Sequence, residues 1–187
     1  MKILERWGKH HVLLACFLFT AFSAFGQSYL GKVTQAANLR SGPGTNYDIL
    51  KTLPAGTQIF VFSATAENDF YRVKDIASDT DGYISRSLVE LGQVLEGNNP
   101  DESPFDPIGR SSRNNPEIKI YNNTNRTLTL SLNNEKYIFR SQETKTITVP
   151  PGKYNYMASA PGVIPYFGND TLENFTAYSW TFYIGTR

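Results

Sequence analysis

From residue 117 to the C-terminus the apolar residues fall on alternate positions. Ile118 and Ile120, then Leu128, Leu130 and Leu132, then Tyr137 and Phe139, then Ile147 and Val149 all keep this spacing, and Tyr178, Trp180, Phe182 and Ile184 close the series. A repeat of two is the repeat of a strand, whose successive side chains point to opposite faces. Alternation therefore predicts strands with one buried face and one exposed face. No stretch beyond residue 26 places apolar residues at i, i+3, i+4 and i+7 over three turns, so the chain reads as all-β. Asn122-Asn123-Thr124-Asn125, Asn133-Asn134 and Pro150-Pro151-Gly152 punctuate the alternating runs as hairpins or corners. Six or seven strands of this kind predict a small β-sandwich, immunoglobulin-like in kind.

The preceding segment is also β-rich, but its runs are shorter. Apolar stretches at residues 30–33, 49–53, 58–62, 70–73 and 82–84 are separated by Ser41-Gly42-Pro43-Gly44 and Pro54-Ala55-Gly56. Glycine admits positive φ and proline fixes φ, so these breaks are turns with a physical cause. Five short strands in so little chain predict a small, strongly bent barrel. Residues 92–116 are dense in Gly, Pro, Asn, Ser and charge without strand or helix periodicity, and read as a linker. The predicted division is thus a barrel over 27–91, a linker over 92–116 and a sandwich over 117–187.

The N-terminus has the character of a secretory signal. Lys2, Arg6 and Lys9 precede an apolar run that extends to about Phe25, and small residues Ala24 and Gly26 stand before the polar Gln27. Cleavage is expected after Gly26. The run is short for a membrane span, which takes about 20 residues, although a retained anchor is the competing reading. Cys16 raises a lipoprotein signal as another alternative, but Leu14 fits such a box poorly and the apolar run continues past it.

Processing there has chemical consequences. His10, His11 and Cys16 are the only histidines and cysteine of the chain, so the portion beyond residue 26 contains neither residue type. No disulfide can hold the domains together, whatever the redox compartment. Cys–His and Ser–His–Asp catalysis lack a base, and zinc lacks its usual imidazole and thiolate ligands. Residue count does not exclude a pair of catalytic carboxylates, but the acids are scattered over turns and linker. No enzyme activity and no cofactor are expected. Removing Lys2, Arg6, Lys9 and Glu5 leaves 15 basic against 16 acidic residues, a net charge of −1. A near-neutral chain without a basic run gives no support to nucleic-acid binding.

One stretch carries a family signature. Asn38-Leu39-Arg40-Ser41-Gly42-Pro43-Gly44-Thr45-Asn46-Tyr47 closely resembles the motif of bacterial SH3 domains. Leu53-Pro54-Ala55-Gly56-Thr57, Asp69-Phe70-Tyr71-Arg72-Val73 and Gly82-Tyr83-Ile84 resemble later elements of that family in the same order, with Phe70 and Tyr83 where tryptophans are usual. The resemblance covers about residues 29–91. It implies a five-stranded SH3-like barrel and a targeting role, often toward peptidoglycan or other wall components.

Arg40, Asn46, Tyr47 and Tyr71 are the candidate ligand-binding residues. Adjacent strand residues point to opposite faces, so Phe70 is expected in the core and Tyr71 outside it. The competing structural reading makes the Gly-Pro-Gly turn a folding device, Arg40 a surface charge and the tyrosines rings at a core edge. Partners are expected to be peptidoglycan or an envelope protein. An alternative function is an assembly subunit that docks through the sandwich, which an exposed apolar patch around residues 178–184 would favour.

Three weaker patterns complete the reading. Asp79-Thr80-Asp81-Gly82 suggests a calcium loop, but Leu88 stands where its glutamate is required, so a polar hairpin turn is expected. Asn-x-Thr triplets, such as those at Asn122, Asn169 and Asn174, read as turn chemistry rather than glycosylation acceptors. Asp170-Thr171-Leu172 resembles a bacterial O-glycosylation motif, a pattern short enough to occur by chance.

Overall fold

The structure, a computed structural model, describes residues 27–97 and 103–185. The expected signal segment and its cleavage site after Gly26 lie outside the described residues, apart from Gln27 itself. Among the described residues the chain is built from fifteen strands and one 3-10 turn, in two β units.

Seven strands form the first unit: β1 (Ser28–Val33), β2 (Ala37–Arg40), β3 (Ile49–Leu53), β4 (Gln58–Val61), β5 (Phe70–Asp75), β6 (Thr80–Ser85) and β7 (Val89–Leu95). They hydrogen-bond in the order β3-β2-β6-β5-β4-β1-β7, with neighbouring strands antiparallel. The concave face closes over Val33, Leu39, Leu53, Ile59, Val61, Tyr71, Val73 and Ile84. Burial of an aliphatic side chain of this kind stabilises by about 1.5–3 kcal/mol, and without a disulfide such burial is what holds the unit.

The second unit is a sandwich of two four-stranded sheets. One contains β10 (Leu128–Leu132), β11 (Glu135–Phe139), β13 (Gly152–Ser159) and β14 (Tyr166–Leu172), in the order β11-β10-β13-β14. The other contains β8 (Asp106–Arg110), β9 (Glu117–Asn122), β12 (Thr144–Thr148) and β15 (Thr176–Phe182), in the order β12-β9-β15-β8. The pair β9 and β15 is parallel. The alternation seen in the sequence fills the space between the sheets: Ile118, Ile120, Leu128, Leu130, Leu132, Phe139, Tyr156, Tyr178, Trp180 and Phe182 form one buried cluster. Rings meet edge to face there, with Phe105 5.3 Å from Trp180 and 5.5 Å from Tyr156 between centroids. Asn122 makes the corner after β9. Its buried amide donates to the carbonyls of Arg126 at 2.8 Å and Arg140 at 2.8 Å, and its oxygen accepts from the Thr124 hydroxyl.

Two expectations need correction. The first unit has seven strands rather than five, because β2 runs through the signature motif itself and β7 extends the sheet beyond residue 91. The stretch expected as a linker is partly strand: β7 runs to Leu95, and Asp106–Arg110 pairs with β15. Both segments escaped notice for one reason. They are edge strands, and all five residues of β8 are exposed, so no alternation is written into them. Pro107 is tolerated there because an edge strand can spare an amide donor.

The two units pack against each other. Phe60, Ile76 and Phe167 are buried together, with Leu30, Phe62, Leu95 and Met157 around them. Phe60 and Phe167 meet edge to face at 5.4 Å. The Gly162 amide donates to the Ile76 carbonyl at 2.7 Å, and Lys136 Nζ reaches Asp81 Oδ2 at 2.8 Å.

Candidate binding site

The signature loop between β2 and β3 is tied down by its own residues. The Arg40 guanidinium donates to the carbonyls of Thr45 at 3.0 Å and Tyr47 at 2.9 Å. The Ser41 amide donates to the Asp48 carbonyl at 3.0 Å, closing the loop at its base. The Asn68 amide reaches the Pro43 carbonyl at 3.5 Å from the neighbouring turn. Gly42 has a specific reason to be glycine. A Cβ there would fall inside the Tyr47 ring, which lies directly against its backbone. Glycine is thus required for close approach rather than for an unusual φ. Tyr47 remains 43% exposed on this seat, and Asn46 beside it is exposed.

Of the four candidate residues, the structure gathers Arg40, Asn46 and Tyr47 in this loop and leaves Tyr71 out. Tyr71 is 7% exposed and belongs to the barrel core, beside Val73 and Ile84. Phe70 is buried too, at 9% exposure, but on the opposite face of β5. Alternation was right that the two rings point apart and wrong about which one enters the core. Both faces of β5 are largely covered, its burial running through Phe70, Tyr71, Val73, Lys74 and Asp75. Parity cannot choose between two buried faces. Arg40 directs the Nη1 donors of its guanidinium to two of the loop's carbonyls, one of them that of Tyr47, and so holds Tyr47 in place.

The register of the sheet shows what the loop is continuous with. Arg40 on β2 pairs with Tyr83 on β6, and Tyr83 pairs with Arg72 on β5. Directly paired residues share a face, so these three side chains form a row across the convex side of the sheet. Arg72 then lies over the Phe62 ring, with its guanidinium carbon 4.4 Å from the centroid. Tyr83 is half-buried and Arg72 exposed. Strand periodicity alone did not single out Arg72 or Phe62, because the row runs across strands and the sequence reads along them.

At Phe62 the row enters a cleft of about 300 Å³ between the two units. Arg72, Lys74 and Asp81 come from the barrel, while Asn134, Lys136 and Asn155 come from the sandwich. Lys74 is almost fully buried and meets Asp79 Oδ1 at 2.8 Å and Asp81 Oδ1 at 2.7 Å, at ion-pair distance but off the hydrogen-bond angle. Burial alone would raise the Asp81 pKa. Contacts to Lys136 and Lys74 outweigh it and hold the carboxyl below its ordinary range. The Asp79–Asp81 segment is therefore the end of the β5–β6 hairpin, with its charges used by lysines. Among the described residues no group of three or more His, Cys, Asp or Glu side chains is placed to hold a metal ion.

Comparisons with known proteins agree with this geometry. A family model described as "Bacterial SH3 domain" matches residues 35–90, from just before β2 to the start of β7. The uncharacterized protein YraI of Bacillus subtilis (strain 168) is 35% identical over 103 residues, which cover 52% of this chain and 82% of that protein. The chain belongs to the bacterial SH3 domain family. No solved structure matches it.

The family's usual tryptophan positions, held here by Phe70 and Tyr83, have separate fates in this SH3 domain. Phe70 is buried, and Tyr83 sits in the row between Arg40 and Arg72. On the sandwich, Tyr178, Trp180 and Phe182 are 6–8% exposed, so the apolar patch that an assembly surface required at residues 178–184 is reduced to Tyr183 and Ile184. No helix among the described residues is long and apolar enough to cross a membrane. Asn122 is fully buried, in keeping with its reading as turn chemistry.

Proposed function

We propose that the protein is an exported, non-catalytic binding protein of the bacterial cell envelope, and that its SH3 domain contacts peptidoglycan or another wall component. One observation carries the reading: an exposed Tyr47 ring, seated on Gly42 and locked by Arg40, at the head of a row of exposed and half-buried side chains. A ring held in place before the ligand arrives loses little freedom on binding, which favours recognition of a sugar face or a peptide edge. Export is inferred from the basic stub and apolar run before Gln27, and the lack of a catalytic role from the absence of His and Cys beyond residue 26.

Sedimentation of the protein with purified, insoluble peptidoglycan tests the reading, alongside a protein pull-down from envelope extract. The protein is expected in the peptidoglycan pellet. If it stays in the supernatant and a single envelope protein is captured instead, the wall-binding reading fails.

A further inference from the structure

The cleft between the two units has features that the barrel's own folding does not explain. Arg72 makes no ion pair or hydrogen bond through its guanidinium among the described residues, and the guanidinium lies over the Phe62 ring. An arginine stacked on a ring has its planar fork fixed in direction while its N–H donors remain available. Across the cleft, the side chains of Asn134 and Asn155 also make no hydrogen bond among the described residues. The other cleft cation, Lys136, is engaged with Asp81, and Lys74 is held between Asp79 and Asp81. The charge left unmatched at the cleft is that of Arg72.

We propose that this cleft is a second ligand site, in which Arg72 receives a carboxylate group and Asn134 and Asn155 bind polar atoms next to it. The fork matches a carboxylate with two parallel hydrogen bonds. The amides of the facing asparagines can each donate and accept, which suits hydroxyl or amide groups beside the acid. A volume of about 300 Å³ lies at the small end of ligand pockets and suits one sugar ring or the last two residues of a peptide. Both a sugar acid and a peptide C-terminus present this chemistry. The site needs residues from both units, so the sandwich completes it rather than serving as a spacer. It goes beyond the wall-binding reading and does not depend on it, since sedimentation with insoluble wall tests the Tyr47 rim and soluble acids test the cleft.

The test is an NMR titration of the full chain with methyl glucuronide against methyl glucoside, and with acetyl-Ala-Ala against its C-terminal amide. At least one of the two acids should shift the side-chain amide signals of Asn134 and Asn155, and the acid that does so identifies the source of the carboxylate. Its neutral counterpart should bind about tenfold more weakly or not at all, and Arg72→Gln should weaken the acid by a similar factor. Asn134→Ala, at an exposed position on the opposite wall, should weaken it several-fold and keeps the test valid if the arginine variant fails to fold. The proposal is overturned if neither acid binds, if acid and neutral forms bind alike, or if the folded variants bind as the parent does.

Discussion

The cluster that joins the two units is centred on one ring pair, which makes its contribution open to a quantitative test. Phe60 is fully buried on the barrel side, and Phe167 is 8% exposed on β14 of the sandwich. Their centroids are 5.4 Å apart with the planes at 74°, an edge-to-face contact. Truncating either ring to alanine should cost about 3–5 kcal/mol as a large-to-small change in a packed site. The share that belongs to the contact itself is smaller, about 0.5–1.5 kcal/mol for such an aromatic pair. A double-mutant cycle of Phe60→Ala, Phe167→Ala and the double variant isolates that share. Urea unfolding can be monitored by two signals. In the chain beginning at Gln27, Trp180 is the one tryptophan, and it reports the sandwich core. Far-ultraviolet circular dichroism reports both units. The parent should show coincident transitions, either single variant should separate them, and the cycle should return a coupling of about 1 kcal/mol. Strictly additive losses, with the two signals still coincident in every variant, would refute the claim that this cluster joins the units.

Three more residues give outcomes that can be measured separately. Tyr71→Ala should lower stability by about 3–5 kcal/mol in urea unfolding, as a core ring must, and the folded fraction should keep its wall affinity; a binding defect without a stability loss would restore the outward placement. Asp81 has a folded pKa below its unfolded value, so the stability it contributes is complete above the unfolded carboxylate range near pH 4 and is lost as pH falls through the folded pKa. Asp81→Asn should accordingly be less stable than the parent at pH 7, with the gap closing in acid; a gap that is constant with pH in urea midpoints would contradict the assignment. Arg40→Gln should speed amide hydrogen exchange at Tyr47 and weaken wall binding while the thermal midpoint moves little, because it releases the loop's carbonyls and leaves the core intact.

Alternation and turn chemistry were enough to recover the sandwich. Ile118, Ile120, Leu128, Leu130, Leu132, Tyr178, Trp180 and Phe182 lie in one core because each strand there has one wet face and one dry face. The signature motif was equally legible, since Gly42 and Arg40 act on neighbours within a few residues of themselves. What the sequence concealed has physical causes. Edge strands such as Asp106–Arg110 bury nothing, so no period marks them. β5 is covered on both faces, so the period that marks it could not say whether Phe70 or Tyr71 points inward. The row from Arg40 through Tyr83 to Arg72 depends on cross-strand register, which pairs residues on different strands that the sequence keeps apart. The cleft takes residues from both units, and contacts between units such as Phe60 with Phe167 are not encoded in local patterns.

In the proposed function, an exposed, pre-seated Tyr47 ring makes this SH3 domain a wall-binding module. Quantitative co-sedimentation of the parent and of Tyr47→Ala with purified peptidoglycan tests it most directly, with thermal midpoints measured on the same samples. Stacking together with a phenolic hydrogen bond should contribute about 1–2 kcal/mol, a loss in affinity of about tenfold or more on truncation. That loss is expected with a midpoint close to the parent's, since the ring is 43% exposed and lies against the loop's own Gly42. Equal sedimentation of Tyr47→Ala and the parent, or no sedimentation of either, would contradict it.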